Sequence, residues 1–282
     1  MGTKAQKLRA LLNSGEHFIA ADCYSALTGR IVERVGFKAA YLGGHACSAF
    51  HYAVPDNGLY SQVEQIEQAA RIADVMEIPL IADADTLGET VADAFHFIRR
   101  YERAGIAGVH VEDELLPKHS TTYKNALMPI VDMQAKLEAC VKAREDPAFV
   151  IIARCDELYH NGIGGGGKGD LEEAVRRGKA YMEAGADALV FPLASPEHMA
   201  RLVKEIDAPM CAGLGPPFEG ARLTLNTGWG WTGAAKLHWD KARELFATGR
   251  TAPSEIEEKA QLIQQDLYDD LIADWARRTG RV

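Results

Sequence analysis

Short apolar segments alternate with helical patterns along most of the chain. Six stretches share one pattern, in which a helix ends near a glycine or a proline and a short apolar strand follows: 32–44, 73–85, 101–113, 144–156, 181–193 and 204–215. A glycine just past the end of a helix is the usual signal for such a turn. Residues 17–23 and 221–226 add an early strand and a weaker late one, which brings the predicted number of strands to eight.

Continuously apolar strands that alternate with helices indicate a parallel sheet covered on both faces. Eight such units in about 230 residues favour a closed (β/α)8 TIM barrel over an open doubly wound sheet. The first strand is also not followed by the Gly-rich turn of a dinucleotide-binding fold. We therefore predict an α/β protein with a catalytic barrel in residues 1–250 and a C-terminal helical extension in residues 251–282. The short connection after the seventh strand leaves open whether helix 7 of the barrel is present.

Acidic residues follow the predicted strands at the end where barrels carry their chemistry. The segment IPLIADADT (78–86) ends in Asp83 and Asp85, whose side chains point the same way because strand side chains alternate faces. Two buried carboxylates repel unless a cation lies between them. Glu112 ends the next strand, and oxygen ligands without His or Cys suit Mg²⁺ or Mn²⁺. The alternative is that these acids cap helices or pair with Lys and Arg.

Other strand ends supply candidate groups for an anionic substrate. Arg154 offers a planar fork that suits a carboxylate or phosphonate, although an internal salt bridge to a nearby acid is the alternative. The second strand ends in YLGGH, from Tyr41 to His45, where Gly43 and Gly44 let backbone N–H groups approach a ligand oxygen or simply form a turn.

A long stretch without clear periodicity, about 117–129, follows the fourth strand. Loops of this length in compact folds are often lids, and closure of this one would deliver Lys118, His119 and Ser120 to the site. The alternative is a solvated surface loop.

Charge and composition exclude several classes of protein. The net charge is −9 without a basic stripe, which argues against nucleic acid as a partner. No apolar run is long enough to span a membrane, and the N-terminal residues form an amphipathic pattern rather than a signal peptide. The five cysteines are scattered, which fits reduced thiols. We expect a cytoplasmic protein.

Several of these segments together resemble the isocitrate lyase/phosphoenolpyruvate mutase superfamily over roughly residues 5–215: AYLGGHACSA, VPD (54–56), IADADT, GVHVEDELLPK and IIARCDE. The resemblance implies a TIM barrel, bound Mg²⁺ and a small 2-oxo or 2-hydroxy acid as substrate. The metal and its waters would be held by Asp56, Asp83, Asp85 and Glu112. The substrate would be bound by Tyr41, Gly43, Gly44, His45, Asp56 and Arg154, with Lys118 in the gate.

The chain departs from the superfamily pattern in three places. Leu87 stands where the motif after Asp85 has a glycine. Lyases of this superfamily carry K-R-C-G-H in the gate, where the Cys is thought to protonate the product, whereas this chain has His119 and Ser120. A serine hydroxyl is a far weaker acid than a thiol, so His119 is the obvious substitute. The C–P bond enzymes have E-D-K and R-x-E, whereas this chain has EDE and RCD, and Asp156 matches the lyases.

Three functions remain open at this point. The first is a Mg²⁺-dependent lyase that cleaves a C–C bond, or decarboxylates, in a small 2-hydroxy or 2-oxo carboxylic acid through an enolate. The second is phosphonopyruvate mutase or hydrolase chemistry. The third is a metal-binding barrel that has lost catalysis.

The C-terminal segment predicts assembly into oligomers. From Ser254 to about residue 278 the apolar residues recur at three- and four-residue steps, so this helix has a face to bury. Members of the superfamily that it resembles exchange such a helix between subunits. We therefore predict a homo-oligomer, most simply a tetramer, with residues 254–278 buried between chains. The alternative is a helix folded back on its own barrel.

Overall fold

The computed structural model describes residues 2–119, 126–159, 165–213, 217–254, 256 and 258–281. In chain order the described elements are α1 Lys4–Asn13, β1 Phe18–Asp22, α2 Ala26–Val35, β2 Ala39–Leu42, a π-helical segment Ala46–His51, α3 Gln62–Asp74, β3 Leu80–Asp83, α4 Val91–Arg103, β4 Gly108–Glu112, α5 Ile130–Ala143, β5 Val150–Arg154, α6 Leu171–Glu183, β6 Ala188–Val190, α7 Pro196–Glu205, β7 Met210–Gly213, β8 Ala221–Asn226, α8 Trp229–Thr248, α9 Lys259–Leu262 and α10 Gln265–Arg278.

The eight strands form a closed parallel barrel in sequence order, which confirms the predicted fold. Closure is made by β1 and β8, which pair in parallel with Phe18 opposite Leu223. Every residue of β2, β3, β4 and β5 is buried, as expected for strands that lie between the barrel interior and a layer of helices.

Local signals in the sequence set the boundaries of the helices. Ser25, Ser61 and Thr90 each accept a hydrogen bond from a backbone N–H in the first turn of the helix that follows, in a capping box. The repeated helix-ending glycines include Gly36 and Gly185, which adopt φ values of 105° and 94°. These conformations favour glycine, and they turn the chain into the next strand.

Two apolar cores hold the barrel. One lies between the sheet and the outer helices, and the other fills the barrel interior. On α1, Leu8 and Leu12 are buried in the interior core beside Phe18 of β1, so this helix packs at the end where the strands begin. The opposite end, where the strands finish, is therefore where a ligand could enter.

The connection from β7 to β8 is unlike the others. It spans 214–220, and its described part, 217–220, contains no helix. The short connection noted in the sequence therefore carries no helix in the part that the structure describes.

The chain divides into two compact units, Met1–Thr232 and Gly233–Val282. The division falls within α8, whereas the sequence predicted a domain boundary at 250, and that boundary stays a prediction. In the second unit, α10 exposes large apolar side chains, including Leu267, Leu271 and Trp275, at 52%, 58% and 49%. Burial of this helix between subunits also stays a prediction. Among the described residues, none of the helices is both long and apolar enough to cross a membrane.

Candidate active site

The turn after β3 brings two carboxylates close to the end of β2. Asp83 is buried; its Oδ2 accepts a hydrogen bond of 2.9 Å from the Gly44 N–H, and its Oδ1 accepts one of 3.0 Å from the Asp85 N–H. A Cβ atom at Gly44 would lie 2.9 Å from an oxygen of each carboxylate, so only glycine allows this approach. The Gly44 N–H thus supports a carboxylate, and the substrate contact predicted for Gly43 and Gly44 stays a prediction.

Lys118 lies at the centre of the acid cluster. Its Nζ is fully buried and lies 2.5 Å from Asp85 Oδ1, 3.2 Å from Glu112 Oε1 and 3.3 Å from Asp56 Oδ1. Burial opposes the charged ammonium, but Asp85 and Glu112 raise the pKa of Lys118 well above its usual value. Lys118 is therefore a fixed cation of the site.

The acids outnumber the cations that face them. Asp56, Asp83, Asp85 and Glu112 contribute four carboxylates, and the nearby cations are Lys118 and Arg154. The pKa of Asp85 is raised to about 8, first because it is buried and then because the other carboxylates repel its charge. Burial acts in the same direction on Asp83, but His110 and Lys118 lower its pKa. A further cation beside Asp85 would stabilise its ionised form.

Three of these carboxylates fit a divalent cation. Asp83, Asp85 and Glu112 each offer an oxygen, and these oxygens lie within 4.8 Å of one another. Both oxygens of Glu112 lie within ion-pair distance of a cation, yet neither has a hydrogen-bond partner among the described residues. Buried acceptors left in this state need a partner. An all-oxygen set of this kind suits Mg²⁺ or Mn²⁺.

Arg154 is held by two acids at the end of β5. Its Nε and Nη2 donate to the two oxygens of Asp156 at 2.7 Å each, and its Nη1 lies 3.0 Å from Glu112 Oε2. The internal salt bridge considered from the sequence is therefore present. This pairing fixes the plane of the guanidinium, and Arg154 still lines the cavity described below.

His119 lies between the cluster and Arg154. Its Nδ1 is 3.1 Å from the backbone oxygen of Asp56, and its Nε2 is 3.4 Å from Arg154 Nη2 and 3.6 Å from Glu114 Oε2. Burial opposes the protonated ring, but the hydrogen bond with Asp56 raises the pKa of His119. Ser120, the other candidate acid, lies outside the described residues.

These groups surround a cavity of about 320 Å³ at the C-terminal end of the strands. The cavity is lined by Tyr41, Gly43, Gly44, His45, Pro55, Asp56, Asp83, His110, His119, Arg154, Tyr159, Val190, Pro192, Gly213, Leu225 and Thr227. All the substrate-binding candidates from the sequence line it. Asp85, Glu112 and Lys118 lie behind this surface and contact one another, and the catalytic and binding roles predicted for all these residues stay predictions.

Sequence reasoning missed three polar lining residues: His110, Tyr159 and Thr227. His110 lies inside β4, where Tyr41 Oη is 2.7 Å from its Nε2 and Asp83 Oδ1 is 3.5 Å away. A polar residue between two valines of an otherwise apolar strand was the available signal. Tyr159, whose ring centroid lies 5.3 Å from that of His119, and Thr227 each come shortly after a strand, where no spacing singles them out.

The loop between Asp85 and α4 is held in an unusual conformation. Asp85, Leu87 and Gly88 have positive φ values of 47°, 54° and 84°. Lys136 of α5 donates hydrogen bonds of 2.8 Å to the backbone oxygens of Thr86 and Gly88. This buried lysine stabilises the loop from the side opposite the cavity.

The barrel and its site define a class of protein. An acid cluster that can hold a divalent cation, beside a buried arginine at the C-terminal mouth of a (β/α)8 barrel, is the arrangement of a barrel enzyme for small anionic substrates. The model of the phosphoenolpyruvate phosphomutase family matches residues 8–225. The chain belongs to this family, within the isocitrate lyase/phosphoenolpyruvate mutase superfamily, as its sequence motifs indicated.

Similar proteins differ in the reactions for which they are named. The chain is 34% identical over 225 residues to the 2,3-dimethylmalate lyase of Eubacterium barkeri, which covers 78% of this chain and 73% of the lyase. It is 33% identical over 280 residues to the oxaloacetate decarboxylase of Chromohalobacter salexigens, covering 95% and 93%. A crystal structure of phosphonopyruvate hydrolase with oxalate and Mg²⁺ superposes with a TM-score of 0.81 at 28% identity, covering 96% of this chain and 99% of the hydrolase.

Proposed function

We propose that the chain is a lyase, dependent on Mg²⁺ or Mn²⁺, that acts on a small 2-hydroxy or 2-oxo carboxylic acid. The reaction is cleavage of a C–C bond, or decarboxylation, next to the oxygen-bearing carbon, with an enolate as the first product. The observation that carries the proposal is the buried set Asp83, Asp85 and Glu112, whose oxygens lie within 4.8 Å of one another beside a cavity that Arg154 lines.

A bound divalent cation supplies positive charge that stabilises the negative charge developing on the substrate oxygens. Asp83, Asp85 and Glu112 are proposed to hold this cation, with Asp56 supporting its waters. Mg²⁺ in the hydrolase structure with oxalate supports this assignment.

Arg154 is proposed to bind the substrate carboxylate. Asp156 accepts hydrogen bonds from its Nε and from one N–H of Nη2, and Glu112 Oε2 lies at ion-pair distance, 3.0 Å, from its Nη1. A guanidinium carries five N–H groups, so a substrate carboxylate in the cavity could take those left on Nη1 and Nη2, where His119 Nε2 also lies 3.4 Å from Nη2. The two acids therefore orient the arginine without consuming all of its donors.

His119 is proposed to be the acid that protonates the enolate carbon after the C–C bond has broken. The hydrogen bond with Asp56 favours its protonated form, and its ring lines the cavity beside Arg154. A group that titrates near neutrality is suited to general acid catalysis. Lys118 is proposed to keep the acid cluster partly neutralised, and Ser120 remains a second candidate donor from the gate.

Phosphonopyruvate hydrolysis is the second candidate, favoured by the similarity to the hydrolase structure. A turnover screen with Mg²⁺ across oxaloacetate, 2-methylisocitrate, substituted malates and phosphonopyruvate separates the candidates. Pyruvate or glyoxylate as a product supports the lyase or decarboxylase. Phosphate released from phosphonopyruvate, or its conversion to phosphoenolpyruvate, would favour C–P chemistry. Tight metal binding without any turnover would favour a barrel that has lost catalysis.

The same protein is proposed to assemble as a homo-oligomer, most simply a tetramer, through residues 254–278. The exposed apolar side chains of α10 support this proposal.

A further inference from the structure

A chain of buried hydrogen bonds runs from the outer helix α6 to the barrel mouth. At its centre is Asp113, which directly follows β4 and is fully buried. Tyr181 Oη donates to Asp113 Oδ2 at 2.5 Å, and Arg177 Nη1 donates to the same oxygen at 3.1 Å. Arg177 and Tyr181 are one helical turn apart, and Arg177 Nη1 also lies 2.9 Å from Tyr181 Oη. The two side chains therefore hold one oxygen of Asp113 together.

The other oxygen of Asp113 reaches the next strand. Its Oδ1 accepts a hydrogen bond of 2.9 Å from the backbone N–H of Asp156. Asp156 in turn accepts both 2.7 Å hydrogen bonds from Arg154. The position of the Arg154 guanidinium is thus set through Asp156 and Asp113 by two residues that do not line the cavity.

Asp113 connects α6 to the strand end that carries Asp156. One oxygen of its carboxylate accepts hydrogen bonds from side chains of α6, and the other accepts one from the backbone N–H of Asp156, so a rotation of the carboxylate changes both sets of contacts. Loss of a donor to a buried carboxylate leaves an acceptor without its partner, and the group shifts to find another one. The shift would displace Asp156 and with it the fork of Arg154. The metal cluster is held mainly through Gly44, Lys118 and the loop after β3, and Glu112 is its member that also contacts Arg154.

We infer that Arg177 and Tyr181 are positioning residues that orient Arg154 for the substrate carboxylate through Asp113 and Asp156. This inference rests on the proposed role of Arg154 in binding that carboxylate. If the network were only structural, disrupting it would lower stability but would not change the affinity for a carboxylate relative to the affinity for the metal. That difference is what an experiment can measure.

Oxalate is the probe, because it is a small dicarboxylate that can be bound without turnover. Its Kd is measured by calorimetry on the full chain with saturating Mg²⁺, and the Kd for Mn²⁺ alone is measured in parallel. Tyr181→Phe keeps the buried ring and removes only the hydroxyl, so the fold is preserved. Since one lost hydrogen bond to a charged group corresponds to about a tenfold change, Tyr181→Phe and Arg177→Met are each expected to weaken oxalate binding about tenfold. Mn²⁺ binding should stay within about twofold.

Arg144→Met is the matched control. Arg144 is also a partly buried arginine in an ion pair, 2.8 Å from Asp187, but Asp187 lies just before β6, at the opposite end of the barrel. Its substitution should lower the melting temperature and leave oxalate binding unchanged. The inference is overturned if Tyr181→Phe binds oxalate as the unchanged protein does, or if metal and oxalate binding weaken equally.

Arg154→Met separates this inference from the proposed function. If that variant binds oxalate normally, the role of Arg154 in the proposed function is wrong. If Arg154→Met weakens oxalate binding while Tyr181→Phe and Arg177→Met do not, the role of Arg154 stands, and only the positioning role of Arg177 and Tyr181 is wrong.

Discussion

Leu87 combines a buried side chain with a backbone conformation that suits glycine, so Leu87→Gly sets two effects against each other. The side chain is 0% exposed and belongs to the core between the sheet and the helices. Its φ is 54°, in the left-handed region. Glycine would relieve roughly 1–2 kcal/mol of backbone strain. Glycine would also lower the free energy of unfolding by roughly 0.5–1 kcal/mol, because it gives the unfolded chain more conformational freedom.

Removal of the side chain decides the outcome. Truncation of a buried leucine costs roughly 2–5 kcal/mol, because apolar contacts are lost and a cavity remains. Since the two backbone effects together leave a gain of only roughly 0.5–1 kcal/mol, we expect Leu87→Gly to lower the free energy of unfolding by about 1–4 kcal/mol. Urea denaturation followed by circular dichroism, with a chelator present, measures this difference.

Leu193 provides a matched control within the same chain. It has a φ of 59°, close to that of Leu87, but its side chain is 44% exposed. Leu193→Gly therefore changes the backbone in the same way with less loss of burial, and we expect its stability to change by less than about 1 kcal/mol. The reasoning is refuted if Leu87→Gly is as stable as Leu193→Gly, because backbone strain would then outweigh burial.

Three further predictions concern the site and the assembly. Asp83→Asn removes the charge and keeps an acceptor for only one of the Gly44 and Asp85 N–H groups, so calorimetry should show Mn²⁺ affinity falling by more than about tenfold, and the lost hydrogen bond should also lower the melting temperature. His119→Gln should lower kcat by about 10²–10⁴-fold. Because the protonated ring is the proposed acid and its pKa is raised, the activity of the unchanged protein should be present at low pH and be lost as the pH rises through that pKa. Light scattering should give a mass in solution that is a multiple of 30.8 kDa, and truncation before Ser254 should reduce this mass to that of one chain.

Each of these predictions has an outcome that contradicts it. Unchanged Mn²⁺ binding in Asp83→Asn would remove Asp83 from the metal site. A His119→Gln variant with the pH profile of the unchanged protein would transfer the acid role to another group. A mass near that of one chain for the full-length protein would show that residues 254–278 do not join subunits.

Much of the barrel could be predicted because its signals are local. Gly36 and Gly185 end helices in conformations that favour glycine, and the apolar segments after them can only be buried strands. Asp83 and Asp85 were also found locally, since strand alternation places both on one face. Glu112 was found because parallel strands finish at the same edge.

The remaining parts of the site depend on contacts between distant segments. His110 stands out as a polar residue in an apolar strand, but only its contact with Tyr41 shows that it belongs to the site. The central position of Lys118 depends on the path of the chain after β4, and the pattern of hydrophobic residues does not predict that path. The link from Tyr181 to Arg154 crosses two strands and one helix, so no spacing in the sequence reveals it.

Lys118 also bears on how the fold would respond to removal of the proposed metal. A cluster of four carboxylates, three of them buried, would repel itself without a counter-charge and would make folding depend on the metal. Here the ammonium of Lys118 lies 2.5–3.3 Å from three of the four. The barrel therefore carries an internal substitute for part of the metal's charge. We therefore expect the chain to fold without the ion, and a chelator should extract the ion as an exchangeable component without denaturing the protein.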